Sequence, residues 1–234
     1  MKRDYTFNTI AELKSFENVS PKVSDLYVPI YTSEIIKLLE PEFKFINGSR
    51  LEGSSSKHYV DFDHNGDKIR LYNSYDRQMA FQANLYSDGF IIDLGLDRLV
   101  HRGARAKNVA VDIKTFKEDV VIAVKTAKVI QTKFDTVNVD ENIAKEISDM
   151  IFFKQAKIKG FQEYTNYMDI LIPKGISLKA YITSSINKFI QGDYTVTING
   201  SKRLGRPVSS TLMKIRIQNK IVKYLSAQFP EYFL

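Results

Sequence analysis

His58-Tyr-Val-Asp-Phe-Asp-His-Asn-Gly-Asp-Lys-Ile-Arg-Leu-Tyr-Asn73 is the stretch whose reading decides the fold. At its centre, His64-Asn65-Gly66-Asp67 is a strong hairpin turn, because Asn and Gly accept the positive φ that a two-residue turn between twisted strands requires. On either side apolar and polar residues alternate, the period of a strand with one buried face. His58 to Phe62 and Lys68 to Tyr72 are therefore expected to pair as strands. Working outward, Arg77 to Leu85 and Phe90 to Leu94 flank Ser87-Asp88-Gly89 as a second hairpin. Phe43 to Ile46 reads as a strand that turns at Asn47-Gly48, and Val109 to Ile113 as a further short strand. The expectation is a mainly antiparallel sheet over about residues 43–113.

Helical periodicity surrounds this block. A short helix is expected around Ile10 to Phe16. Pro21 to Tyr31 carries two prolines and suits an edge strand. Thr32 reads as the N-cap of a short helix that must end near Pro41. Thr115 begins a run with apolar Phe116, Val120, Ile122, Val124, Ala127, Ile130 and Phe134, read as a helix. Asp140 caps the next helix, with Gly160 as its end, and a strand is expected at Asp169 to Ile172. Ser177 caps another helix that Gly192 ends. Tyr194 to Ile198 alternates as a strand up to Asn199-Gly200, Lys202 to Arg206 reads as a loop, and Ser209 or Ser210 opens the last helix. The predicted architecture is α+β in one domain, a sheet packed with C-terminal helices. A β-rich core covers about residues 20–113, a helical part about 114–192, and a basic strand-loop-helix about 193–234.

Composition narrows the function classes. The chain has 234 residues, is 44% hydrophobic and 12% aromatic, and so is expected to fold. It contains no cysteine, which excludes disulfides, thiol nucleophiles and thiolate metal sites. The N-terminus shows no apolar segment of signal-peptide type and no apolar run approaches the ~18 residues of a membrane span. A host cytoplasm and no membrane partner are the expectation.

The charge is unevenly placed. Residues 194–234 hold seven basic residues and one acid, Glu231, and so carry +6 of the chain's +7. Such a block repels itself unless it is solvated or meets an anion, and a nucleic-acid backbone is the commonest large anion in a cell. On the last helix, Ile215, Ile217, Ile221, Val222, Leu225 and Phe229 share one face at about 100° per residue, while Arg216, Lys220 and Lys223 lie opposite.

Catalytic constellations are incomplete. Asp61, Asp63, Asn65 and Gly66 match the first half of a calcium loop, but its twelfth position is Tyr72 rather than a bidentate Glu. Gly200 to Pro207 has P-loop glycine spacing, with Arg206 in place of the lysine and Pro207 in place of the metal-binding hydroxyl. The three histidines, His58, His64 and His101, have no metal-ligand spacing. Asp61, Asp63, Asp67 and Asp76 are the carboxylates that a magnesium site for phosphoryl chemistry would use. A non-enzymatic chain without cofactor or metal is expected.

The positive signature is one of binding. Tyr59, Phe62, Tyr72, Tyr75, Phe81, Tyr86 and Phe90 sit among Arg70 and Arg77 on the hairpins, and about half must point inward. Tyr75 and Tyr86, near strand ends or turns, are the expected base-stacking residues. Arg98, His101, Arg102, Arg105 and Lys107 follow closely as phosphate contacts. Lys202, Arg203 and Arg206 form a second basic wall beside Arg216, Lys220 and Lys223. Aromatic faces for unpaired bases, with cations for phosphates, are how sequence-tolerant single-strand binders work.

Val23-Ser24-Asp25-Leu-Tyr27-Val-Pro-Ile30, then Leu71-Tyr72-Asn73-Ser74-Tyr75-Asp76, then Arg98-Leu99-Val100-His101-Arg102-Gly103 follow one another in the order of a family of uncharacterised phage and plasmid proteins. The chain resembles that family over roughly residues 20–135. It departs where the family has a cysteine-containing segment, since Leu85-Tyr86-Ser87-Asp88-Gly89 stands there. Within the family it is similar to the single-stranded-DNA-binding branch of short-tailed phages that package a virion RNA polymerase. The resemblance implies a homo-oligomeric, non-enzymatic single-strand binder that brings a phage RNA polymerase to DNA in transcription, with replication a further setting. A strand-annealing recombination protein and a metal-dependent nuclease are the alternatives, together with a protein-binding phage component whose basic helix meets an acidic partner.

Overall fold

The structure is a computed structural model that describes residues 6–17, 30–51, 56–75, 81–87, 90–96, 106–158, 164–167, 175–198, 201–208, 211–228 and 230. In chain order the elements are β1 (Thr6–Phe7), α1 (Ile10–Glu17), α2 (Thr32–Leu39), β2 (Lys44–Arg50), β3 (His58–His64), β4 (Asp67–Asn73), β5 (Gln82–Ser87), β6 (Phe90–Asp93), α3 (Ala106–Thr136), α4 (Glu141–Ile158), β7 (Tyr164–Tyr167), α5 (Leu178–Gln191), β8 (Thr195–Ile198), β9 (Ser201–Leu204) and α6 (Thr211–Gln228). The fold is α+β. Strands β1 to β6 lie in sequence order in one sheet, and β7, β8 and β9 form a second. Contacts divide the chain into two compact units, residues 1–88 with 93–127, and residues 89–92 with 128–234.

In the first unit the Asn65-Gly66 turn does what its sequence dictates. Both residues have positive φ, 55° and 87°, and His64 pairs directly with Asp67. Counting outward, Val60 and Phe62 face the same side as Ile69 and Leu71, and Ala83 and Leu85 continue that side on β5. All six are buried, with Ile35, Ile36 and Leu39 of α2 and Phe116 and Val120 of α3. Phe116 meets Phe81 edge-on, ring centroids 5.4 Å apart. Each fully buried side chain of this size contributes about 1.5–3 kcal/mol, so this apolar face holds the unit together.

Three expectations about this part are corrected. Asn47-Gly48 is not a turn: β2 runs straight through it, with a bulge between Phe45 and Asn47. Gly48 is there for close approach, since a Cβ on it would lie 2.6 Å from the Tyr59 carbonyl oxygen. Val109 to Ile113 is not a strand but part of α3, which starts at Ala106 rather than Thr115. No Gly or Pro interrupts residues 106–136, so the helix continues through an alternating pattern that fits either period. Thr32 is not a cap: Tyr31 holds that position without a side-chain bond. The segment 21–29 lies outside the described residues.

The second unit packs three amphipathic helices. Ile143, Ile147 and Ile151 of α4, Leu178, Ile182, Ile186 and Phe189 of α5, and Ile215, Ile221, Val222 and Leu225 of α6 are buried. Asp140 caps α4, its carboxylate accepting from the Ile143 N–H at 2.8 Å. Ser177 caps α5, accepting from the Ala180 N–H, and Gly192 closes it at φ 77°. These three termini fall where the sequence puts them. The expected loop over Lys202 to Arg206 is corrected: Ser201–Leu204 is strand β9, antiparallel to β8, with Ile198 opposite Ser201. Strand β7 was not anticipated, and the strand expected at Asp169 to Ile172 lies outside the described residues.

Candidate nucleic-acid interface

The outward face of the β3–β5 hairpins carries Tyr59, Asp61, Lys68, Arg70, Tyr72, Asn84 and Tyr86, the register positions opposite to the apolar ones. This face is closed on itself. Asp61, only 1% exposed, accepts two bonds from the Arg70 guanidinium, at 2.6 and 2.8 Å, and a contact from Lys68 at 2.6 Å. The guanidinium lies 3.7 Å from the Tyr59 ring centroid and 5.2 Å from that of Tyr86. Burial pulls the Arg70 pKa down, but the Asp61 hydrogen bonds and charge outweigh it and hold it above its usual value. Tyr86 is half-buried and its hydroxyl bonds Tyr72 at 2.9 Å. Burial, then the Tyr72 hydroxyl, raises the Tyr86 pKa. The Tyr86 ring therefore already has a cation beside it.

Tyr75, expected to stack on bases, is 2% exposed and offers no face to a ligand. Its hydroxyl donates to Glu17 at 2.7 Å and lies 3.2 Å from the Thr32 hydroxyl. Glu17 also accepts from the Ser33 N–H at 2.8 Å and the Ser33 hydroxyl at 2.5 Å. A carboxylate from α1 thus satisfies an N–H at the start of α2, the role its own cap position leaves unfilled. His58, fully buried, bonds the Ser56 carbonyl through Nδ1 at 2.9 Å and the Thr32 hydroxyl through Nε2 at 2.8 Å. A carbonyl only accepts, so Nδ1 carries a proton. Asn73 donates to the Ile30 carbonyl and to Thr32. The Asn73-Ser74-Tyr75 signature is accordingly a buried polar node joining α1, α2, β3 and β4, and burial with the Glu17 charge raises the Tyr75 pKa.

The C-terminal cations stand differently. Lys202, Arg206, Arg216, Lys220 and Lys223 are exposed, and none of their side chains has an ion pair or hydrogen bond among the described residues. Lys68 and Arg70 hold Asp61, Lys117 holds Glu42 at 3.1 Å, and Lys179 holds Asp135 at 3.2 Å. Arg216, Lys220 and Lys223 recur at i, i+4 and i+7, one stripe about 10.5 Å long, opposite buried Ile215, Ile221, Val222 and Leu225. The last turn of α5 anchors both basic elements. Val208, past β9, bonds the Ile190 carbonyl at 2.8 Å, and Lys214, near the start of α6, donates to Asn187 at 3.1 Å.

Of the other expected contacts, Arg203 lies on β9 and Lys107 in the first turn of α3. Arg77, Arg98, His101, Arg102 and Arg105 lie outside the described residues. Among the described residues no three His, Asp or Glu side chains form a group that could hold a metal ion, and no helix is long and apolar enough to cross a membrane. Asp61 is committed to Arg70 and Lys68, which removes it from the carboxylates a nuclease would need. Sequence reasoning missed the Asp61–Arg70 pair and the Glu17 node. The first was legible by counting outward from the turn, whereas the second needs tertiary structure. Comparison with family models, curated proteins and solved structures gave no match.

Proposed function

We propose that this chain is a non-enzymatic, sequence-tolerant single-stranded DNA-binding protein whose principal contacts come from β9 and α6. The observation that carries the reading is the set of five exposed cations, Lys202 on β9, Arg206 just past it, and Arg216, Lys220 and Lys223 on α6, none with an ion pair among the described residues, in a segment that has no acidic residue between Tyr194 and Pro230. Cations with protein partners offer little to a phosphate. Unpaired ones release condensed counterions when a polyanion binds, and that release drives association. The similarity of residues 20–135 to the phage family supports a setting in phage transcription. There the protein would be a homo-oligomer in the host cytoplasm with a phage RNA polymerase as partner.

Fluorescence anisotropy of labelled single-stranded and duplex oligonucleotides, at several salt concentrations without magnesium, tests the reading. Tight single-strand binding is expected, with a log–log salt slope of about −0.7 per phosphate neutralised and weaker duplex binding. Absence of binding to either would assign the basic elements to an acidic protein instead. Magnesium-dependent loss of the oligonucleotide would revive the nuclease alternative, and annealing of complementary strands the recombination one.

A further inference from the structure

Leu204 is 82% exposed, the most exposed large apolar side chain among the described residues. A lone exposed leucine is ordinary by itself, and it is the cations around it that point to a partner. Its surroundings define that partner. Strand β9 is the edge of its sheet, paired with β8 on one side only. Lys202 and Leu204 are two residues apart and so project from the same face of the strand. The ladder continues one residue further, since the Gly205 N–H bonds the Tyr194 carbonyl at 2.7 Å, and exposed Arg206 follows. The edge therefore reads cation, apolar, cation over about 13 Å.

We propose that this strand is the part of the interface that distinguishes single-stranded from duplex nucleic acid. Lys202 and Arg206 take phosphates, and Leu204 packs against the face of an unpaired base between them. The proposal rests on the single-strand-binding reading and adds the element responsible for its selectivity. A duplex stacks its bases inward and shows phosphates outside, so it satisfies the cations and leaves the leucine wet. A single strand offers both surfaces at once, and every base has an apolar face, so the contact carries no sequence preference. An acidic peptide would also meet the cations, and its binding is one of the outcomes that the test separates. A lipid surface would need more apolar area than one leucine supplies.

Leu204→Ala and Lys202→Ala separate the two roles by anisotropy across a salt series. Leu204→Ala is expected to weaken single-strand binding about fivefold with the salt slope and duplex affinity unchanged, because no phosphate contact is lost. Lys202→Ala is expected to weaken both and make the slope shallower by about 0.7. Leu204→Trp supplies a ring for stacking and should tighten single-strand binding about fivefold. Both sites are solvent-exposed, and unchanged circular dichroism verifies the fold. If Leu204→Ala lowered single-strand and duplex affinity equally, or neither, the selectivity role would be overturned while the basic interface stood. Wild-type protein with no single-strand affinity would overturn both. Poly-glutamate binding that Leu204→Ala abolishes would give the strand to a protein partner.

Discussion

The triple variant Arg216→Glu, Lys220→Glu, Lys223→Glu is expected to bind single-stranded DNA at least about a hundredfold more weakly than the wild type, with a log–log salt slope shallower by about 2. The reasoning is electrostatic and local. The three side chains share one stripe of α6, are exposed, and have no ion pair among the described residues, so their charge is available to phosphates. Reversal replaces three attractions by three repulsions. The fold should tolerate it. Glu has nearly the helix propensity of Lys and Arg, Ile215, Ile221, Val222 and Leu225 on the opposite face are untouched, and exposed substitutions of this kind usually change stability by less than ~0.5 kcal/mol. Anisotropy for affinity and thermal unfolding for stability check the two halves. A variant that unfolds like the wild type and binds like it would remove α6 from the interface.

Arg70→Ala is expected to have the opposite profile, a large loss of stability and little loss of DNA affinity. It strands Asp61, whose side chain is 2% exposed, with Lys68 as its remaining cation. Removing one partner of a buried pair costs about 3–5 kcal/mol when nothing else compensates. With Lys68 still present, about 2–3 kcal/mol is the expected loss from the denaturant midpoint. Asp61→Leu combined with Arg70→Leu should recover most of it, because the loss arises from an uncompensated charge and not from missing volume. The wild-type pair lies on the face that the sequence offered as a stacking platform. Unchanged stability of Arg70→Ala, with a clear fall in single-strand affinity, would return that face to the binding surface.

The sequence was most readable where one residue's chemistry decides a local geometry. Asn65-Gly66 fixed a two-residue turn, and every register pair of that hairpin follows from it. Asp140 and Ser177 each stand one step before an apolar helical run, and each accepts the N–H expected of a cap. Reading failed where the same local signal serves two structures. Asn47-Gly48 has the composition of a turn and lies inside β2, because what matters there is the closeness of β3. Val109-Ala-Val111-Asp-Ile113 alternates over a span too short to separate a strand from a helix. Ser201-Lys-Arg-Leu204 is too short and charged to show alternation, so an edge strand passed for a loop. The site divides along the same line. The cationic stripe of α6 was visible from 3.6-residue spacing alone. The burial of Tyr75 was not, since it depends on Glu17 and Thr32, 58 and 43 residues away in sequence.

Hydrogen–deuterium exchange of the full chain with and without an oligothymidine tests the central claim most directly, because it reports where the strand lies. Slower exchange at residues 201–208 and along 211–228, with little change across 58–73, is the result predicted for an interface built on β9 and α6. Protection confined to the hairpin strands of residues 58–87, with the basic strand and helix exchanging as in the free protein, would contradict it.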